Sequence, residues 1–316
     1  MRTESWPFVT QSSALSPRHC FQGSIMASLR DIRRKIASVK KTQQITRAMQ
    51  MVSAAKLQRA QDRLLTSRPY SDKLASVVSD LALRASPEKH PLLQRREGPN
   101  TLIVVVTTDR GLCGAFNSNV LRAVVGLLAQ HPEWRAWLID VGRKGREFFR
   151  RRPQFQVKNQ YVDVFGRQVS FGVAEDIAKE LIEAYTAPVD AVDRVVLVGN
   201  TFVSALRQQP MTSTILPIPL PPRQPDELVF DYIYEPSVDG ILRELLPRYV
   251  EILVFRALLE TAAAEHAARM TAMAAATDNA GDLIRQLTLF YNKTRQAAIT
   301  KEILEVVSGA EALKGA

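Results

Sequence analysis

VEILVFRALLETAAAEHAARMTAMAAATDNAGDLIRQLTLFYNKTRQAAITKEILEVVSGAE, residues 250–311, decides the fold. It contains no proline and only two glycines, Gly281 and Gly309. An ordinary domain helix runs ~8–20 residues, so a stretch this unbroken predicts one long helix over 240–314. At ~1.5 Å per residue, such a helix reaches about 110 Å, further than a globule of this size is wide. The competing reading is two or three shorter helices interrupted at Pro247 and Gly281. Pro247 is expected to bend the start, whereas Gly281 alone costs only ~1 kcal/mol and need not stop a helix.

The apolar positions say what this helix needs. Leu242, Leu246, Tyr249 and Leu253 step by four, three and four, and Leu283, Leu287, Phe290, Thr294, Ala297 and Leu304 resume the rhythm. This is a narrow heptad seam, suited to one partner helix. Between the two seams lie eleven alanines from Ala257 to Ala280, which favour helix and let a neighbour approach closely.

The partner is expected at the other end of the chain. Residues 27–68 contain neither glycine nor proline. Leu29, Ile32, Ile36 and Val39 form a seam there, and the stripe is expected to shift to Ile45, Met49 and Val52 past Gln43 and Gln44. Pro69 is expected to break or kink this helix, with a second piece at 71–85 ending before Pro87. The N-terminal helical segment is therefore 27–87. The two terminal helices can pair as an antiparallel coiled coil, with the last part of the longer one extending beyond the pair.

The middle of the chain has a different character. After a polar linker at 88–100, Thr101–Thr107 (TLIVVVT) is a β-branched run of the kind buried on both faces of a sheet. Strands are expected at 136–141, 194–199 and, weakly, 162–165, with helices at 117–130, 144–150 and 173–185. A hairpin of 201–204 and 213–216 is expected to close the sheet. This alternation predicts an inserted, Rossmann-like α/β domain over 101–220 with a mostly parallel sheet. The fold class is thus α/β plus a long α-helical coiled coil, a shaft with a collar. Residues 217–225 read as a proline-rich linker.

Composition narrows the function. The net charge of +10 is concentrated, with eleven Lys and Arg against Asp31 and Asp62 between residues 27 and 68. No apolar run approaches the ~18 residues of a membrane helix. Two cysteines, Cys20 and Cys113, make no disulfide framework and fit a reducing compartment. The four histidines lack metal-ligand spacing, and no catalytic or cofactor-binding constellation emerges. Asp109-Arg110-Gly111-Leu112-Cys113-Gly114 follows a buried strand and precedes a helix, where α/β sheets often place a ligand loop. It lacks both dinucleotide and Walker spacing, so a loop bonded to a protein neighbour is the stronger reading than a nucleotide site. Cys113, with no histidine nearby in sequence, is a poor nucleophile candidate. The basic N-terminal helix admits a solvated face, an acidic protein partner or, as the alternative function, nucleic-acid binding by a basic coiled coil. It carries no aromatic residue for stacking.

Four separated blocks then bring a family into view: IRRKIASVKKTQQITRAMQMVSAAKLQRAQ at 32–61, TTDRGLCGAFN at 107–117, DYIYEP at 231–236, and the run from Ala267 to Ala310. In this order they resemble the γ-subunit family of the F-type ATP synthase, from about residue 27 to 313. The resemblance implies a non-catalytic rotor stalk without cofactor or metal, turning inside a hexamer of α and β subunits and meeting the ε subunit and the c ring. It implies that Met49, Arg269, Gln296, Thr300 and Glu302 face the β subunits, that Asp109, Arg110 and Gly111 form a collar motif, and that Tyr232, Tyr234 and Glu235 form the foot toward the c ring. It implies no nucleic-acid partner and no chloroplast-type regulatory cysteine pair. Residues 1–25 carry no such match. They read as a mitochondrial presequence, Arg2 and Arg18 outnumbering Glu4, or as an extension ahead of a start at Met26. The lack of an arginine-rich amphipathic helix favours the extension, and with it the cytoplasmic face of a bacterial inner membrane over a mitochondrion.

Overall fold

The computed structural model describes residues 28–84, 90–166, 168–219 and 237–314. The 1–25 leader and most of the proline-rich linker lie outside them. The chain forms two compact units, one from 1–41 with 280–316 and one from 42–279. Helix α1 (Leu29–Arg84, 56 residues) and helix α5 (Val238–Lys314, 77 residues) contribute to both.

Helix α1 does not break at Pro69. A mid-helix proline removes one hydrogen bond and crowds the carbonyl four residues back. That carbonyl belongs to Leu65, which is exposed, as is Pro69, so water can take the missing partner's place. Meanwhile Leu64, Ser71, Leu74, Val78 and Leu81, on both sides of the proline, are buried and hold the helix on course. Pro247 is likewise inside α5, with exposed Arg243 four residues before it. Gly281 leaves α5 uninterrupted.

Among the less exposed positions of α1, one 3–4 spacing runs through without a shift: 29, 32, 36, 39, 43, 46, 50, 53, 57, 60, 64, 67, 71, 74, 78 and 81. This corrects the expected stripe at Ile45 and Val52, whereas Met49 is half-buried as a stripe position would be. Ile45 and Val52 are 59% and 56% exposed, while Thr46 is half-buried and Ser53 is buried. Small hydroxyl residues fill the seam where the facing helix presents another: the Oγ1 atoms of Thr46 and Thr277 are 2.8 Å apart, and Gln43 Nε2 donates to the Thr277 carbonyl at 3.3 Å.

In the larger unit, partners on α5 run backwards as α1 runs forwards. Thr277 meets Gln43 and Thr46, Ala263 and Ala267 cluster with Leu57, and Arg256 meets Asp72 at 3.4 Å. The pairing is antiparallel. In the smaller unit Ile32 and Leu287 are buried, and Arg33 Nη2 donates to the Tyr291 hydroxyl at 2.5 Å. Beyond this contact, residues 301–310 are all exposed.

Between the helices in sequence lies the sheet. Strands β1 (Asn100–Val106), β2 (Arg135–Val141), β3 (Gln156–Tyr161), β4 (Arg194–Phe202) and β5 (Gln208–Leu216) take the order β3-β2-β1-β4-β5. All pairs are parallel except β4 with β5. Leu102, Val104 and Val106 enter a core with α4 (Phe171–Thr186), the end of α1 and the start of α5. Ile103 and Val105 enter the opposite core with α2 (Phe116–Gln130) and Phe149 of α3 (Arg143–Phe149). A strand covered on both faces explains the β-branched run.

Two expectations for the edges change. The edge strand beyond β2 is 156–161, not 162–165. Its sequence QVKNQY is polar because it is half-solvated at the rim, whereas Asp163 takes a positive φ of 60° and opens a turn. The closing hairpin is longer than expected, with its turn at 203–207. Pro210, opposite Asn200 in the ladder, is tolerated because β5 is an edge strand. After β2, Gly142 at φ 97° leaves no room for a side chain, since a Cβ there would lie 2.4 Å from the Thr107 carbonyl oxygen.

Asp140, near the end of β2, is fully buried, and neither carboxylate oxygen has a hydrogen-bond partner among the described residues. Burial raises its pKa to about 7. Between about pH 4 and 7 the folded chain therefore holds a proton that the unfolded chain has released, and stability falls as pH rises through that window. Burial also lowers His266 to about 4, which gives a slope of opposite sign between about pH 4 and 6.5. The prediction concerns the difference: from pH 5 to pH 8, urea unfolding of Asp140→Asn should lose about 2–4 kcal/mol less stability than the wild-type chain.

Candidate functional site

The order β3-β2-β1-β4-β5 reverses between β1 and β4. In open α/β sheets a ligand ordinarily occupies the crevice at the carboxyl ends of such strands. Here α5 occupies it. Ala264 packs with Cys113 and Phe116, with Phe202 and Ala268 alongside. At the end of β4 a Cβ on Gly199 would be 3.4 Å from Thr261 Oγ1, so the helix lies almost on the strand. The loop lies between strand and helix as expected, and Asp109 bonds to protein within this chain, whereas the Arg110 side chain is exposed.

Asp109, Arg110 and Gly111 divide their labour. Asp109 is buried and accepts three backbone N–H bonds: from Arg143 at 3.0 Å and Asp163 at 2.9 Å on Oδ1, and from Phe165 at 2.9 Å on Oδ2. A carboxylate with this many donors ties three chain segments together. Thr108 Oγ1 donates to the Arg110 carbonyl at 2.8 Å, while the Arg110 side chain is exposed. Asn117, at the start of α2, accepts the Thr108 N–H at 3.0 Å and reaches Cys113 Sγ at 3.4 Å through Nδ2. Burial pushes the Cys113 thiol up, which removes the thiolate character a nucleophile needs.

Gly111 is the point of contact with α5. Its carbonyl accepts from Arg269 Nη2 at 3.2 Å and Nε at 3.4 Å. Arg269 is 8% exposed, and its Nη2 also donates to Glu265 Oε1 at 2.5 Å. Burial raises the Glu265 carboxyl, and the adjoining Arg269 charge opposes that shift. The structure therefore brings Asp109, Arg110, Gly111 and Arg269 into one site. Met49 is half-buried on α1, whereas Gln296, Thr300 and Glu302 are exposed on α5. Tyr232, Tyr234 and Glu235 lie outside the described residues.

Glu265 and Asn117 were not singled out from sequence. Glu265 carried a signal: an acid four residues before Arg269 in an alanine run, the spacing of a helical ion pair. Among the described residues no group of His, Cys, Asp and Glu could hold a metal ion.

A family model described as ATP synthase matches residues 28–313. The chain is 47% identical over 289 residues to the ATP synthase gamma chain of Pelotomaculum thermopropionicum, covering 92% of this chain and 100% of that one. It is 48% identical over 294 residues to that of Anaeromyxobacter sp. strain Fw109-5, with the same coverage. Among solved structures, the central stalk and c-ring assembly of the Tetrahymena thermophila mitochondrial ATP synthase contains a chain with TM-score 0.56 and 26% identity, matching 73% of this chain and 99% of that one. A chain in the Euglena gracilis mitochondrial ATP synthase has TM-score 0.63 at 22% identity, over 90% of this chain and 94% of that one, a likeness of fold.

Asp109→Ala would leave three backbone donors without their acceptor and should cost about 3 kcal/mol in urea unfolding. Arg110→Ala, on an exposed side chain, should stay within about 0.5 kcal/mol. Equal losses for the two would contradict the assignment of the knot to Asp109.

Proposed function

The chain belongs to the ATP synthase gamma chain family, and from that premise we propose how its geometry serves a rotary ATP synthase. It is a non-catalytic subunit of the complex, the central stalk. Proton flow through a membrane ring turns it, and its rotation changes the catalytic sites of the surrounding subunits in sequence. The observation that carries this reading is the antiparallel pairing of the first and last helices, Arg33 with Tyr291 in one unit and Thr46 with Thr277 in the other.

Solved relatives described as a central stalk with c-ring, and as F1 with OSCP and c-ring, support the partners: the α and β subunits and the c ring. The ε subunit joins them by family resemblance. No helix among the described residues is long and apolar enough to cross a membrane, so the chain meets the membrane through the complex. It lies in the F1 part of that complex. We place it on the cytoplasmic face of a bacterial inner membrane, in keeping with the bacterial gamma chains it matches.

The contact surfaces suit a moving bearing. Ile45, Met51 and Val52 on α1 and Leu289, Ile303 and Val306 on α5 are more than half exposed, while no Trp is present on either helix to make a deep anchor. Aromatic anchors in fitted pockets create hot spots that would hold one rotary position. We assign Met49, Gln296, Thr300 and Glu302 to the β-facing surface, and Tyr232, Tyr234 and Glu235 to the foot. The basic face of α1 steers acidic protein surfaces through long-range charge. Arg269 joins the β-facing set by resemblance, with its guanidinium already engaged inside this chain. We assign residues 27–87, 101–220 and 240–314 as first shaft helix, collar domain and second shaft helix.

Co-expression with α- and β-type subunits tests the function. The expected result is a purified complex containing this chain and hydrolysing ATP, with no hydrolysis by the chain alone. A chain that never enters such a complex contradicts the proposal.

A further inference from the structure

A cavity of about 110 Å³ opens between α1, α5 and the segment before α4. It is smaller than the ~300–1,000 Å³ of a site for a cofactor or drug-sized ligand. Two small residues, Ala60 on α1 and Ala262 on α5, leave the hollow. Val169 and Leu259, both buried, give it apolar wall.

The polar part of the lining is positive. Lys56, Arg59 and Arg63 step by three and four along α1, which sets them on one face of the helix. Among the described residues none of the three is paired with a carboxylate. Arg63 Nη2 donates instead to the neutral Gln168 Oε1 at 2.8 Å. Glu265 also lines the cavity, but Arg269 Nη2 already holds its carboxylate at 2.5 Å. His266 completes the lining. Its Nδ1 is buried without a hydrogen-bond partner among the described residues, where a buried polar atom ordinarily has one. Burial first, and then the charges of Arg269, Lys56 and Arg110, lower its pKa to about 4. Those three charges have one sign. Like charges set around low-dielectric walls focus a positive field and concentrate anions. A merely solvated basic face would spread its side chains into water, whereas here they share a hollow with a buried imidazole.

We propose that this cavity binds one small tetrahedral oxyanion, phosphate or sulfate, held by Lys56, Arg59 and Arg63 with His266 in the wall. Two guanidinium forks and an ammonium group match the several acceptor oxygens of such an ion. The bound negative charge favours a protonated His266, whose Nδ1 is then a donor. A planar carboxylate has only two oxygens for these groups. The site belongs to the folded chain itself and does not depend on the stalk reading.

Inorganic phosphate titrated into the full-length chain at constant ionic strength tests the site. Binding is followed by calorimetry and by the histidine ring signals in NMR, with His266→Gln identifying the His266 signal. Saturable binding of one phosphate per chain is expected. Arg59→Gln and Lys56→Gln, each shown by circular dichroism to be folded, should weaken it by about tenfold or more. Between pH 5 and pH 7 the His266 signal should stay close to its neutral position in chloride and titrate in phosphate. Sulfate should compete with phosphate, and acetate and ADP should not. Heats no different from those with chloride, or binding unchanged in both variants, would overturn the proposal. Acetate competing as well as sulfate, or ADP binding more tightly than phosphate, would overturn it too, by making the cavity a carboxylate or nucleotide site.

Discussion

Two helices, each apolar along only a narrow line, must cover one another; the remainder of the architecture follows from that demand. Toward the chain ends neither α1 nor α5 has a broad apolar face: each keeps only a narrow seam there, and the partner for each is at the far end of the chain, whereas residues 257–265 of α5 are buried on every side. The α/β domain is therefore inserted between them. Closing the loop between distant segments carries an entropic cost that grows only slowly with length, so a domain of this size can intervene without preventing the pairing.

Along α5 the same constraint is met in two ways. Near Leu242, Leu246 and Tyr249 the helix joins the main hydrophobic core. Through the alanine run it is covered on two sides, by Leu57 and Ala60 of α1 and by Cys113 and Phe116 of the collar. Small side chains are what allow two neighbours to approach one helix at the same level. The consequence for the sheet is that its switch-point crevice holds a helix of its own chain. A topology that elsewhere cradles nucleotides becomes a socket, and the Asp109 knot becomes the means of stiffening its wall.

The long helices, the antiparallel pairing and the buried strands were legible in the sequence because each has a strong periodic or β-branched signature. The exceptions have physical causes. Strand β3 escaped because QVKNQY is a rim strand whose polar residues face water. Pro69 looked like a boundary because local chemistry is readable while the tertiary packing of Leu64, Ser71 and Leu74 is not. The seam was misread at Ile45 and Val52 because it passes through Thr46, Gln50 and Ser53, and polar residues give no hydrophobic signal. The collar loop was identifiable from its place between strand and helix, but its bond to Arg269 joins residues 158 positions apart, which no local pattern encodes.

Pairing of the first and last helices is tested most directly at Thr46 and Thr277, whose hydroxyl oxygens are 2.8 Å apart. Thr46→Cys and Thr277→Cys are introduced together in a chain lacking Cys20 and Cys113, and thiol loss under mild oxidation is followed in the folded protein. An antiparallel pair in this register predicts rapid and nearly complete closure of the disulfide with unchanged circular dichroism. Thiols that remain reduced while the protein stays folded would show that the two helices are apart or out of register, and would contradict the account.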